Sequence, residues 1–267
     1  MSSRRRYPYE RHIVCCHGAR RRIDAGPAGG FHARDGGSPV RDLRSRPRGA
    51  RAGPAAQPVA SPTSTDVVVD DWRAGPLGRL GVPPGWEGQT WGKASAFALS
   101  IMVEDGQRVL HLESRNDRAT ITRDLRGSVS LARTPILRWR WKVLALPTGG
   151  DARRRETSDQ AAQIYVTWPR PPALLRSRII GYAWDSSAPA GSTFRSEKTG
   201  TVTYVILRSG PAELGRWLEE RRDVRADYRA IFGEEPPDPG AVTLSIDSND
   251  THSSAESLIG PIRFSPS

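Results

Sequence analysis

Cysteine is confined to one adjacent pair, Cys15 and Cys16, in a chain of 267 residues. Adjacent cysteines match neither zinc-finger nor redox spacing, and His12, His17 and His32 complete no metal pattern around them. Beyond residue 16 disulfides are excluded, which permits either a reducing cytoplasm or an exported compartment. Long hydrophobic runs are also missing. The short stretch Ile13 to Cys16 is too brief for a signal-peptide core, although Ser3-Arg4-Arg5-Arg6-Tyr7 faintly resembles a twin-arginine signal, and nothing is long enough to span a membrane. A phosphate-binding glycine loop, a Gly-x-Ser-x-Gly elbow and a metal-binding histidine cluster are absent too, with His111 and His252 isolated.

Charge is present but unevenly placed. The formal net charge is +11, which on its own points to nucleic acid. Residues 1–65, however, hold 13 arginines, no lysine and four acidic residues, a balance of +9, while the other 202 residues hold 27 basic and 25 acidic groups, a balance of +2. A nearly neutral domain over 66–267 is therefore expected not to bind nucleic acid itself. The leader is rich in Arg, Gly and Pro, lacks apolar periodicity and is expected to be disordered. Translation upstream of the true start in a GC-rich gene would produce such a leader, and this reading is preferred to a nucleic-acid arm. Residues 50–65 read as a linker.

From Asp66 the chain reads as about ten short strands separated by Gly, Pro and charged turns, an all-β pattern. The clearest strand is Thr134 to Val143. Strict alternation places Leu137, Trp139, Trp141 and Val143 on one face and Ile136, Arg138, Arg140 and Lys142 on the other. The three cations form a ladder needing water, carboxylates or an anionic ligand as compensation. Asp105-Gly106 marks a hairpin between Phe97–Val103 and Val109–Ser114. One amphipathic helix is expected from Ser209-Gly210-Pro211 to Gly233, bent near Asp223, carrying Leu214, Trp217, Leu218, Val224, Tyr228, Ile231 and Phe232 inward.

A resemblance to a known family rests on many short motifs in order. They include Val69-Asp70-Asp71-Trp72, Leu131-Ala132-Arg133-Thr134-Pro135 leading into the Arg-Trp-Arg-Trp-Lys strand, and Leu174-Leu175-Arg176-Ser177-Arg178. Further along come Glu213-Leu214-Gly215-Arg216-Trp217, Phe232-Gly233-Glu234-Glu235-Pro236-Pro237 and Gly260-Pro261-Ile262-Arg263-Phe264. Over residues 66–267 the chain resembles the bacterial family called domain of unknown function 3047. The resemblance implies an exported β-sandwich in the periplasm or cell envelope, without an assigned activity. The opening Asp-Asp-aromatic strand and closing Gly-x-Ile-x-Phe strand also resemble the ends of galactose-binding-like and carbohydrate-binding sandwiches. The expected architecture is thus one β-sandwich of jelly-roll or galactose-binding-like type with a peripheral amphipathic helix.

Three constellations are candidates for function. Flat aromatic faces stack on sugar rings, so Trp86, Trp91, Trp168 and Trp184, at loops or strand ends, are candidate platforms. Arg138 and Arg140, joined by Tyr165, offer a groove for acidic glycans or small anions; internal neutralisation by Asp159, Asp185, Asp247, Asp250 or Glu256 is the competing reading. Gln163-Ile164-Tyr165 beside an arginine strand has the composition of a polysaccharide lyase, whereas no diagnostic carboxylate pair for a glycosidase stands out. Asp247, Asn249 and Asp250 have oxygen-ligand spacing for Ca2+, but His252 stands where an EF-hand turn needs Gly and Leu258 where it needs Glu, so a polar turn without cofactor is expected. The sequence points first to a glycan-binding domain acting without chemistry, and leaves open a lyase or hydrolase and a structural envelope protein.

Overall fold

The computed structural model describes residues 65–91 and 97–267. The reading of residues 1–64 as a disordered leader, and the side chain of Trp91, lie outside the described residues. The strands are β1 (Val67–Asp70), β2 (Glu87–Trp91), β3 (Phe97–Glu104), β4 (Gln107–Arg115), β5 (Arg118–Asp124), β6 (Ile136–Ala145) and β7 (Ala162–Trp168). They continue with β8 (Arg178–Asp185), β9 (Thr193–Arg195), β10 (Val202–Ser209), β11 (Leu218–Asp223), β12 (Ala241–Asp247), β13 (Ser254–Ile259) and β14 (Ile262–Ser265). Two helices are α1 (Ala173–Arg176) and α2 (Val224–Phe232).

These strands form two seven-stranded sheets. The first runs β1-β14-β6-β13-β4-β3, with β11 on the other edge of β6; the second runs β2-β5-β12-β7-β8-β10-β9. Every strand pair is antiparallel except β8 with β10. The sheets face each other across one apolar core, the arrangement of a β-sandwich of jelly-roll type. Alternation on β6 decides its inner face: Leu137, Trp139, Trp141 and Val143 are all buried. Across the core Trp139 meets Tyr182 at 5.7 Å between ring centroids, and Trp141 meets Trp184 at 6.2 Å. The β3–β4 hairpin turns at Asp105 and Gly106, both with positive φ (51° and 73°), as a two-residue turn requires.

Three departures from the sequence-based expectation have physical causes. Strands β2, β9 and β11 were not anticipated, and the single strand expected over 258–264 is divided at Gly260-Pro261 into β13 and β14. The expected helix over 211–233 is confined to α2. Gly210 and Gly215 take positive φ (71° and 73°) and turn the chain, and Leu218 to Asp223 pairs with β6 instead. Alternation in β11 hides charges inside: Glu220 accepts from Trp141 Nε1 at 3.0 Å and Arg208 Nε at 2.8 Å, and Arg222 pairs with Asp227. The helix starts where the Asp223 carboxylate accepts the Ala226 N–H (2.9 Å) and ends at left-handed Gly233.

Candidate functional site

On the outer face of the first sheet, the three cations of β6 stand in different surroundings. Lys142 Nζ lies 2.5 Å from Glu104. Arg140 lays its guanidinium 4.3 Å from the Trp217 ring centroid, and its stem fills the place of a side chain at Gly260, where an added Cβ would sit 2.5 Å from Arg140 Cγ. Arg138 has Arg221 of β11 and Arg263 of β14 as its cross-strand neighbours. The carboxylates expected to neutralise this ladder serve other groups. Glu256, for example, meets His111 at 2.8 Å, and Asp159 accepts from Thr251. Tyr165 does not join Arg138 and Arg140 in one groove. It belongs to β7 of the second sheet and faces away from the core, so the sandwich separates the two.

The tryptophan platforms are corrected as well. Trp168 is 2% exposed and Trp184 fully buried, with their indole N–H groups donating to the carbonyls of Pro237 (2.8 Å) and Gly210 (3.1 Å). A buried indole needs one acceptor, and a loop carbonyl at the strand end supplies it. Trp86 is buried too, donating to Asp70 at 2.7 Å.

A different surface emerges on the outer face of the second sheet. There the cross-strand register aligns Glu87, Thr122, Thr243, Tyr165, Gly181, Tyr204 and Phe194 in one row across all seven strands. At about 4.8 Å per strand, this row extends about 29 Å. A parallel row carries Thr120 and the buried Ser245, Gln163, Ala183 and Ile206, and a third carries Arg118 and Asp247. The β2–β5–β12 side is a field of hydroxyls: Thr122 and Thr243 are bonded at 2.9 Å, Thr120 and Ser245 at 3.1 Å. On the β7–β9 side it becomes aromatic. Gly181 lies between Tyr165 and Tyr204, and an added Cβ there would meet Tyr165 Cε1 at 2.7 Å. Its missing side chain lets the two rings converge at 6.2 Å with hydroxyls 3.1 Å apart, and Phe194 extends the strip at 5.9 Å from Tyr204.

The polar centre of this face is held by a chain of hydrogen bonds along the face itself. The Tyr165 hydroxyl donates to Gln163 Oε1, and Gln163 Nε2 and the Gln160 N–H both donate to Asp247 Oδ1 at 2.8 and 2.6 Å. Burial, opposed by Arg118 and reinforced by Asp159, pushes the Asp247 carboxyl up to about 7. Burial together with Tyr204 drives the Tyr165 phenol well above its ordinary range, so it stays protonated and can donate. Asp159 and Asp185 are fully buried and accept bonds from the surrounding loops, Asp159 from Asp250 and Thr251, Asp185 from Ala152, Ser187 and Ala188.

The candidate oxygen ligands Asp247, Asn249 and Asp250 point to different partners. Asp250 pairs with Lys198 and accepts from Asn249 Nδ2 at 3.0 Å, while Asp247 turns toward Gln160 and Gln163. Among the described residues no group of three or more His, Cys, Asp or Glu is placed to hold a metal ion.

Residues 84–263 match the family model described as "Protein of unknown function (DUF3047)". The chain belongs to this family. No curated protein matches this DUF3047 chain. Its sheets are similar to those of the CBM22-1 xylan-binding domain from Paenibacillus barcinonensis Xyn10C (TM-score 0.39, 10% identity, 78% of this chain and 97% of that one). A similar likeness holds for the family 11 carbohydrate-binding module from Clostridium thermocellum in complex with a beta-1,3-1,4-mixed-linked tetrasaccharide (TM-score 0.39, 9% identity, 76% and 96% covered). The family 11 xylanase from Neocallimastix patriciarum is more distant in shape (TM-score 0.34, 11% identity, 70% and 91% covered).

Of the residues singled out from sequence, Tyr165 and Asp247 meet through Gln163, and Arg138, Arg140, Trp168 and Trp184 lie elsewhere. Thr120, Thr122, Thr243, Ser245 and Tyr204 were missed. For the four hydroxyl residues the signal was present, because Ala119 and Ile121 in β5 and Val242, Leu244 and Ile246 in β12 alternate with them.

Proposed function

We propose that this DUF3047 domain binds a glycan on the outer face of its second sheet and performs no chemistry on it. The observation supporting this is the transverse row itself, in which paired hydroxyls grade into the Tyr165–Tyr204–Phe194 strip. Hydroxyl groups suit the dense donor–acceptor pattern of a saccharide, and the half-buried rings of Tyr165 and Phe194, backed by the buried ring of Tyr204, suit the apolar side of a pyranose. The row spans six inter-strand steps, which favours a chain of several sugars over a single one. The export implied by the family resemblance would bring envelope polysaccharide within reach.

Asp247 favours a second reading, a carbohydrate-active enzyme, because a carboxyl near 7 is suited to general acid–base work. Binding is preferred for a geometric reason. Asp247 Oδ1 is occupied by two donors, and its carboxylate neighbours Asp159 and Asp185 are sealed inside the loops.

A panel of neutral and acidic oligosaccharides, titrated calorimetrically against the full chain, tests both readings. Saturable binding is expected for at least one oligosaccharide, and Tyr165→Ala is expected to weaken it by tenfold or more, about 1.4 kcal/mol. Absence of binding across the panel, or equal binding by the variant, defeats the proposal. Shortening of the bound saccharide, lost in Asp247→Asn, would establish the enzymatic reading instead.

A further inference from the structure

At the end of the sandwich, on the side of β10 opposite Tyr204, lies a cleft of about 680 Å³, within the size range of small-molecule sites. Its walls come from the core-facing side of β9 and β10, from α1 and its junction with β8, and from α2. Val224 and Tyr228 bury one side of α2 in the core, which leaves Asp227, Ala230 and Ile231 for the cleft. Four arginines line it, Arg176, Arg178, Arg195 and Arg222, against one acidic residue, Asp227.

The four guanidiniums differ in how they are held. Arg222 is clamped by Asp227 (Nη2 to Oδ1 2.5 Å, Nε to Oδ2 3.0 Å) and lies 5.7 Å from the Tyr182 ring. Arg178 reaches Glu234 at 2.5 Å and stands over Phe232 at 4.8 Å and Tyr228 at 5.5 Å. These two are therefore fixed before any ligand arrives, which lowers the ordering cost of binding. Arg176 and Arg195 are exposed, and among the described residues neither has a carboxylate partner. Arg195 only donates from Nε to the Gly200 carbonyl. Two fixed and two unneutralised guanidiniums around one concavity leave an excess of positive charge, with planar donor forks suited to oxyanions. The hydroxyls of Thr201 and Thr203 and the apolar surface of Ile231 and Phe232 complete the lining.

We propose that this cleft is a binding site for a small organic oxyanion, its carboxylate or sulfate group taken by Arg176 and Arg195 and its body resting against Ile231 and Phe232. Phe194 of β9 borders both this cleft and the aromatic strip, but Arg176 and Arg195, which take the anion, do not belong to that strip, and the proposal does not depend on the glycan reading of the other face.

Calorimetric titration of the full chain with digalacturonate, galactose 6-sulfate, inorganic sulfate and cellobiose tests it. Digalacturonate or galactose 6-sulfate is expected to bind at millimolar concentration or tighter, more weakly as salt rises, while cellobiose leaves the cleft unoccupied. The first two probes distinguish a carboxylate source from a sulfate source, and inorganic sulfate shows how much of the affinity belongs to the anion alone. Replacing both Arg176 and Arg195 by Gln should lower the affinity about tenfold or more, with Arg195→Lys between parent and double variant. Tyr165→Ala should leave it unchanged, which separates failure here from failure at the other face. Both arginines are exposed, so melting temperatures should be preserved; were the double variant to unfold, Arg176→Gln alone gives the same test. Binding by neither oxyanion, equal binding by the variants, or equal affinity for cellobiose would overturn the proposal.

Discussion

Asp247 shows how a single residue links structure to solution behaviour. Its folded-state value of about 7 lies above the ordinary 3.8, so between those values the folded chain keeps a proton that the unfolded chain has lost. Its contribution to stability is therefore complete below about pH 4 and is lost as pH rises through 7. The melting temperature is expected to fall between pH 5 and pH 8, and Asp247→Asn should flatten that fall while keeping an acceptor for Gln160 and Gln163. Asp185, also raised by burial, contributes in the same direction and should leave a remnant. A parent equally stable at both pH values would refute this account. Trp141 gives a second residue-scale prediction: it is fully buried and donates to Glu220, so Trp141→Ala should cost about 3–5 kcal/mol in chemical denaturation. The core role of Trp139 and Trp141 was legible because alternation on one strand needs no tertiary information. The burial of Trp168 and Trp184 was not, since it depends on the Pro237 and Gly210 carbonyls, remote from Trp168 by 69 residues and from Trp184 by 26.

Among the elements, β6 was readable and β11 was not. In β6 the apolar face is inward and the charged face outward, whereas β11 turns Glu220 and Arg222 inward, where Arg208, Trp141 and Asp227 satisfy them. Such a segment mimics a helix with a charged outer side, and only its pairing with β6 distinguishes the two. Pairing also creates the transverse arginine row Arg221–Arg138–Arg263 on the outer face, where Asp66 approaches Arg263 at 3.5 Å. Like charges directly opposite one another are destabilising by a few tenths to about 1 kcal/mol. Arg138→Glu should therefore raise the melting temperature at low salt, with the gain shrinking as salt screens the row. A lower melting temperature at every ionic strength would mean that Arg138 has a stabilising role that this row does not show.

Across the whole molecule, the separation of charge sets the expected partners. Residues 66–267 carry +2 and residues 1–65 carry +9, so retention on immobilised DNA at low salt should depend on the first 65 residues. A chain trimmed to start at residue 65 should pass through such a column, and its retention would show that the sandwich binds nucleic acid. No helix among the described residues is long and apolar enough to cross a membrane.

The pairing of β1 with β14 has a mechanical consequence. The strands run antiparallel with Val67 opposite Phe264, so Val67 and Ser265 emerge at the same end of one short ladder. Tension applied between those two points opens the ladder one hydrogen bond at a time, like a zipper, instead of loading all its bonds together in shear. A sandwich built this way yields at low force from its termini inward, with β1 peeling before the two sheets separate. If anchored through both ends, it would act as a weak link under load while the row from Glu87 to Phe194 remained assembled on the far sheet.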